Sequence, residues 1–372
     1  MIHSEVGLAR RCARIGVLTG ALVTMGCTSD PTGPAGPKTP WALAWADKPS
    51  EVGEYEVAPY FSFSTGGKIR SLRTGPGTYT VRFPGLGSGG KKSVHVTAYD
   101  FMDQLRRCRV VASSVNARDL LAEVKCHDKD GNLVDSRFTT LVVSEGATQG
   151  RNAFVLSPVS GSGPADAATS YNSAQQGIEF IRNSEGNYTV ILEGLAPPDA
   201  SANWKEIIHI TSYGDGENWC KVRLWETVFE EGVPTDDLAV NVLCFTPNGT
   251  QADARFSLLM LEGGRLGRRL GYVWAHAESA AGEYTPIPKF NFNSSGTPNT
   301  VNHYGDGKYS VYWPGLERAA TSTAETILVT AYGRNSDYCL ISNWLSTGYT
   351  NFRCYSPSGA FVNSQFTAIW IE

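Results

Sequence analysis

The chain says nearly the same thing three times, and this limits the folds open to it more than any other property. Gly77-Thr78-Tyr79-Thr80-Val81-Arg82-Phe83-Pro84-Gly85-Leu86 returns as Gly186-Asn187-Tyr188-Thr189-Val190 with Gly194-Leu195. It returns again as Gly307-Lys308-Tyr309-Ser310-Val311-Tyr312-Trp313-Pro314-Gly315-Leu316. Each copy is followed by a second phrase: Val96-Thr97-Ala98-Tyr99, Ile210-Thr211-Ser212-Tyr213-Gly214 and Val329-Thr330-Ala331-Tyr332-Gly333. A cysteine comes next (Cys108, Cys220, Cys339), then a second (Cys126, Cys244, Cys354). A Gly stands five residues after each second Cys and a Phe twelve after it (Phe138, Phe256, Phe366).

Solenoids and propellers repeat every 20–50 residues or so. A period near 110 leaves each unit enough chain for a core of its own. Within the first phrase Tyr79, Val81 and Phe83 share one face of a strand, with Thr80 and Arg82 opposite, and Pro-Gly stops the strand. Asp130-Gly131, Asn248-Gly249 and Ser358-Gly359 suit hairpin turns that need φ > 0. Seven or eight short strands per unit read as a β-sandwich. The expected fold is therefore all-β: three tandem β-sandwich-like repeats of about 100–110 residues, one disulfide each. Three sandwiches in a row is the expected arrangement, and one body with internal threefold symmetry is the rival.

The boundaries follow. Residues 1–27 read as a signal peptide: Arg10, Arg11 and Arg14 precede the apolar run Ile15 to Met25, which is too short to span a bilayer. The run ends at Gly26-Cys27, which resembles the bacterial lipobox, with Thr24 and Met25 where Leu and a small residue are usual. That resemblance implies lipidation of Cys27; ordinary cleavage near Cys27 or Ser29 is the alternative. Residues 28–40 form a Pro/Gly linker suited to a tether. Repeat 1 covers 41–145, repeat 2 covers 152–262 with a degenerate N-terminal part, and repeat 3 covers 270–372. The junctions, including Arg265, Arg268 and Arg269, read as solvated linkers. An acidic insert, Glu226 to Asp237, lengthens repeat 2 between its cysteines.

Six of the eight cysteines fall two per repeat, which in an exported chain pairs them as Cys108–Cys126, Cys220–Cys244 and Cys339–Cys354. No CxxC supports a zinc site. Asp128-Lys129-Asp130-Gly131-Asn132 has the oxygen groups of a calcium loop, but its counterparts in the other repeats lack the acids, so a turn is the simpler reading. Metal sites and cofactors are expected to be none. The net charge of −4 carries no nucleic-acid footprint. No nucleophile elbow, His-Glu-x-x-His or P-loop is present, so no catalytic residues are assigned. His95 and His209 share one repeat position that Leu328 fills in the third copy, which points to packing. Trp225 and Trp344, each five residues after a first Cys, are expected to pack on the disulfides. Trp204, Trp219, Tyr338, Tyr349 and Tyr272 are the candidates for an exposed surface that stacks on a ligand.

The phrases carried by Asn293 to Gly296, Gly305 to Leu316, Val329 to Gly333 and Cys339 resemble a repeated domain of uncharacterised exported proteins from bacteria such as actinobacteria and myxobacteria. The resemblance implies an exported β module and brings no activity or site residues. The functional expectation is a non-enzymatic exported surface protein, a binding or adhesion module for glycan or a surface protein. It would touch the membrane only through a lipid anchor, in the cell envelope at the outer membrane or surface, or else be secreted or periplasmic. The alternatives are a passive structural envelope component and a secreted polysaccharide-acting hydrolase.

Overall fold

The computed structural model describes residues 40–158, 162–197, 205–266, 269–318 and 324–372. Cys27 and Trp204 lie outside them. Each repeat folds into two antiparallel half-sheets packed face to face. In repeat 1 the four-stranded half runs Ser62–Ser64, Ala42–Ala46, Arg137–Ser144, Lys92–Tyr99, and the five-stranded half runs Glu54–Glu56, Arg70–Gly75, Thr78–Phe83, Asp119–His127, Arg107–Asn116. Repeats 2 and 3 keep the same order.

The repeats are not three separate sandwiches. The five-stranded half of each continues into the four-stranded half of the next through a parallel pair: Val110 with Tyr213, Val222 with Tyr332, and Ile341 with Tyr99. A backbone hydrogen bond seals each junction, from Gly214 N to Val110 O, Gly333 N to Val222 O, and Asp100 N to Ile341 O, at 2.9–3.0 Å. Repeat 3 thereby closes on repeat 1. The result is three nine-stranded sheets in a ring, each built from two repeats, and residues 39–372 form one compact unit. The Tyr that ends the second repeated phrase is thus the residue at each junction.

Closure explains why the strands Lys92–Tyr99, Glu206–Tyr213 and Thr326–Tyr332 are apolar or short-polar on both faces. Val94, Val96 and Ala98 fill the sandwich of repeat 1, while Ser93, His95 and Thr97 point to the pseudo-threefold axis; all six are buried. Two-sided burial erases the alternation that a half-exposed strand would show. Across the axis the Thr139 hydroxyl donates to Ile327 O and the Thr367 hydroxyl to Ile208 O, both at 2.7 Å, while the shorter Ser257 meets Ser93 Oγ at 2.8 Å. The same position therefore ties each repeat to its neighbour.

The junction linkers are not free either. Thr148–Gln149 pairs antiparallel with Arg265–Leu266, and Leu266 is buried. The acidic insert of repeat 2 is regular as well. It belongs to a long hairpin, Trp219–Glu230 and Val233–Phe245, whose turn has Glu231 and Gly232 at φ 50° and 83° and which carries Phe229 and Val233 more than 60% exposed.

The first repeated phrase is a structural lock. Gly77, Gly186 and Gly307 have φ of 61°, 65° and 61°, and a Cβ on any of them would sit within 2.7 Å of the carbonyl oxygen of the second Cys in its repeat. Asp135 accepts from Gly77 N and from Arg73, and Asp253 accepts from Gly186 N, Arg182 and the Tyr188 hydroxyl. In repeat 3 Asn363 takes the acid's place and accepts from Gly307 N.

Candidate functional site

Each repeat holds one disulfide across a directly registered pair in neighbouring antiparallel strands: Cys108–Cys126, Cys220–Cys244 and Cys339–Cys354. Three such bonds fit an oxidising, extracellular compartment. The tryptophans expected on the disulfides go elsewhere. The Trp225 ring lies 5.2 Å from Phe290 and 5.4 Å from Tyr332, both in the next repeat, and the Trp344 ring lies 5.1 Å from Trp45 and 5.3 Å from Tyr99 in repeat 1. They wedge two of the three junctions. At the third, Ser113 offers its backbone N–H to the Tyr213 hydroxyl at 3.1 Å.

His95 and His209 are fully buried on the axis. His95 bonds Ser93 Oγ at 2.9 Å and Thr211 Oγ1 at 3.2 Å, and His209 bonds Thr211 Oγ1 at 3.1 Å. Burial pushes the His95 imidazole down to about 3 and holds His209 well below its ordinary value. With no route to solvent these groups work as neutral packing. The acidic loop of repeat 1 spends its oxygens on itself: Asp128 Oδ1 accepts from Asp130 N and Asn132 N, each at 2.9 Å, as an Asx-type turn.

The stacking candidates divide sharply. Trp219, only 2% exposed, packs on Phe245 and Tyr338 beneath the Arg107 guanidinium. Tyr338 is half-buried edge-on to it, its hydroxyl pushed up to about 12 by burial. Tyr272 is wholly buried, with its hydroxyl donating to Lys205 O and accepting from Gly263 N. Trp219 and Tyr272 therefore present no ring face. Even spacing along a strand would put Trp219 and Trp225 on a common side, but a β-bulge between Val222 and Leu224 turns them to opposite faces, Trp219 opposite Phe245 and Trp225 opposite Val240.

Tyr349 is the candidate left open. It is 39% exposed and stacks on Tyr312 with centroids 4.6 Å apart and planes 23° from parallel. The two rings stand opposite each other on neighbouring strands, on the outer face of the five-stranded half of repeat 3. Gly348, at φ 82°, turns the chain beside Tyr312, and the Tyr312 hydroxyl donates to Glu317 Oε1 at 2.9 Å. That bond raises the Tyr312 pKa. Two residues along lies a row of small polar side chains, Asn302, Ser310 and Asn351, with Asn351 Nδ2 donating to Asn343 Oδ1. The platform ends at Arg353, held between Asp103 and the Tyr304 hydroxyl. Register shows the same two ring positions filled by Arg82 and Leu121 in repeat 1 and by Ile191 and Ala239 in repeat 2. Sequence reasoning named Tyr349 and missed its partner; the signal was the parity of Tyr312, outward between the inward Val311 and Trp313.

No family model, curated protein or solved structure matches the chain.

Proposed function

We propose that this chain is a non-enzymatic, exported surface protein that binds glycan across the outer sheet face of repeat 3, tethered through a lipidated Cys27. The observation that carries the reading is the Tyr349–Tyr312 pair, an exposed aromatic step that exists in one repeat of three. A pyranose ring offers an apolar C–H face that packs on such a ring, and its hydroxyls need amide and hydroxyl partners of the kind Asn302, Ser310 and Asn351 supply. The row is uncharged, so a neutral sugar loses little on desolvation. The side chains of Asn302, partly exposed, and Ser310, 9% exposed, have no hydrogen-bond partner among the described residues.

The test is binding of the mature protein to soluble polysaccharides and to insoluble cell-wall material, wild type beside Tyr349→Ala. Saturable binding that weakens about tenfold in the variant, with unchanged thermal stability, supports the platform. Absence of binding to every glycan, together with strong self-association, overturns it in favour of a passive envelope component. Mass spectrometry of the mature N-terminus tests the tether, which fails if residue 27 carries no lipid.

A further inference from the structure

A cleft of about 440 Å³ opens where repeat 1 meets repeat 2, far in sequence from the tyrosine platform. Its lining includes Lys91 and Glu145 from repeat 1 and Tyr171, Gln175, Glu179 and Glu193 from repeat 2. The size is that of a small-molecule site. It lies where repeat 2 departs from its relatives in side chains. The turn before its edge strand keeps their hydrogen bond, Thr169 N to Asp166 O as Phe61 N to Ala58 O and Phe290 N to Ile287 O, but has Ala167 and Thr169 where they have Pro and Phe.

Pseudosymmetry supplies a comparison inside the same molecule. A second cleft of about 340 Å³ occupies the corresponding place between repeats 2 and 3. Register makes Lys205 the counterpart of Lys91, Phe292 of Tyr171, and Gly263 of Glu145. A lysine and a ring are thus common to the two clefts, while the third repeat has Ala324 at the lysine position. What the first cleft adds is negative charge. Glu145, Glu179 and Glu193 face a single Lys91, whereas the carboxylate of the second cleft, Glu262, is already paired with Arg151.

These acids are only partly spent. Glu193 Oε2 accepts from Gly177 N at 2.9 Å, which fixes the carboxylate and leaves the other oxygen open. Glu145 Oε2 takes a long 3.4 Å bond from Lys91 N. Glu179 is exposed on its strand, and its carboxylate has no partner among the described residues. Tyr171, packed on Phe154, has a hydroxyl with no hydrogen-bond partner among the described residues, and burial and the charge of Glu145 together raise its pKa. An aromatic face beside three carboxylates suits a cation on an apolar stem, through charge-assisted hydrogen bonds and cation–π attraction.

We infer that this cleft binds a cationic ligand, an amine or guanidinium on a short apolar body. The inference stands apart from the glycan reading, because no residue is shared between the two sites.

The experiment is calorimetric titration of the mature protein with N-acetyl-arginine amide and with N-acetyl-citrulline amide, its neutral isostere. Saturable binding of the first and none of the second is expected. Glu179→Gln should weaken binding about tenfold, the cost of losing one charged hydrogen-bond partner, and Lys91→Ala should tighten it by removing a competing ammonium. Tyr349→Ala should leave the affinity unchanged, and all three variants should keep the wild-type melting temperature. Equal heats from the two probes, no saturation by the cation at millimolar concentration, or indifference to both Glu179→Gln and Lys91→Ala would overturn the inference.

Discussion

The imidazoles of His95 and His209 meet edge to face across the boundary of two repeats, their centroids 5.6 Å apart, with neither ring reachable by water. The third repeat contributes Leu328 at the same position, so the axis is closed by two neutral rings and one aliphatic side chain. Protonating either histidine would place an unshared charge in the centre of the ring.

This sets the response to acid. The folded pKa of His95 is about 3 and that of His209 is well depressed, against an ordinary value near 6.5. The unfolded chain therefore takes up protons that the folded chain refuses. The stability due to neutral burial is complete above pH 6.5 and is lost progressively as pH falls towards the folded values, at about 1.4 kcal/mol per pH unit for each histidine. Denaturant melts between pH 7 and 4.5 should show this slope. The double variant His95→Leu, His209→Leu, which copies Leu328, should reduce it to the part left by His127, which burial and the neighbouring Arg109 and Arg107 lower to about 4; an unchanged slope would move the acid sensitivity elsewhere.

Closure of the ring predicts that one repeat is not a domain. Residues 41–145 expressed alone would bare the axis face of Lys92–Tyr99 and both junction edges. Such a fragment should self-associate or remain without a cooperative transition, as analytical ultracentrifugation and thermal melts would reveal. A well-folded monomer with native-like stability would contradict the shared-sheet architecture.

The junction aromatics should be costly to remove. Trp225→Ala empties the space between Trp274, Phe290 and Tyr332 and should lower stability by about 3–5 kcal/mol. Ser113→Ala, at the corresponding place in repeat 1, should be near neutral because only its backbone takes part. Equal effects at the two positions would mean that the wedge does not bear on the junction.

Gly307→Ala combines a left-handed backbone with a Cβ 2.5 Å from Cys354 O. It should cost about 2 kcal/mol or more in a chemical melt. Gly282→Ala shares a positive φ of 83° but points into open space, and should cost less. The clash with Cys354 O is present in the first and absent in the second.

The repeated units were readable because their rules are local. Two cysteines at similar spacing, a turn-forming Gly five residues on and an alternating Tyr79, Val81, Phe83 each say the same thing in every copy, and short-range backbone chemistry enforces them. The ring was less readable, because closure depends on one parallel pairing per junction between residues more than a hundred positions apart. Its trace is in the strands that fail to alternate, such as Leu258-Leu259-Met260-Leu261, where two-sided burial replaces one-sided burial. The same closure hid Trp219 and Tyr272, which on an isolated sandwich would have had a face to offer. Tyr349 escaped because it lies on the outer sheet face, where strand parity still distinguishes inside from outside.

Three like junctions leave the ring without a natural beginning. The links from Ser144 to Asn152 and from Glu262 to Leu270 are equal in length and join corresponding strands. By the pseudosymmetry, Glu372 and Trp41 bound the third such gap. A chain with those ends joined by a linker of the same length, and opened at Glu231-Gly232, should fold to the same body: the order of synthesis is a circular permutation that the fold does not record.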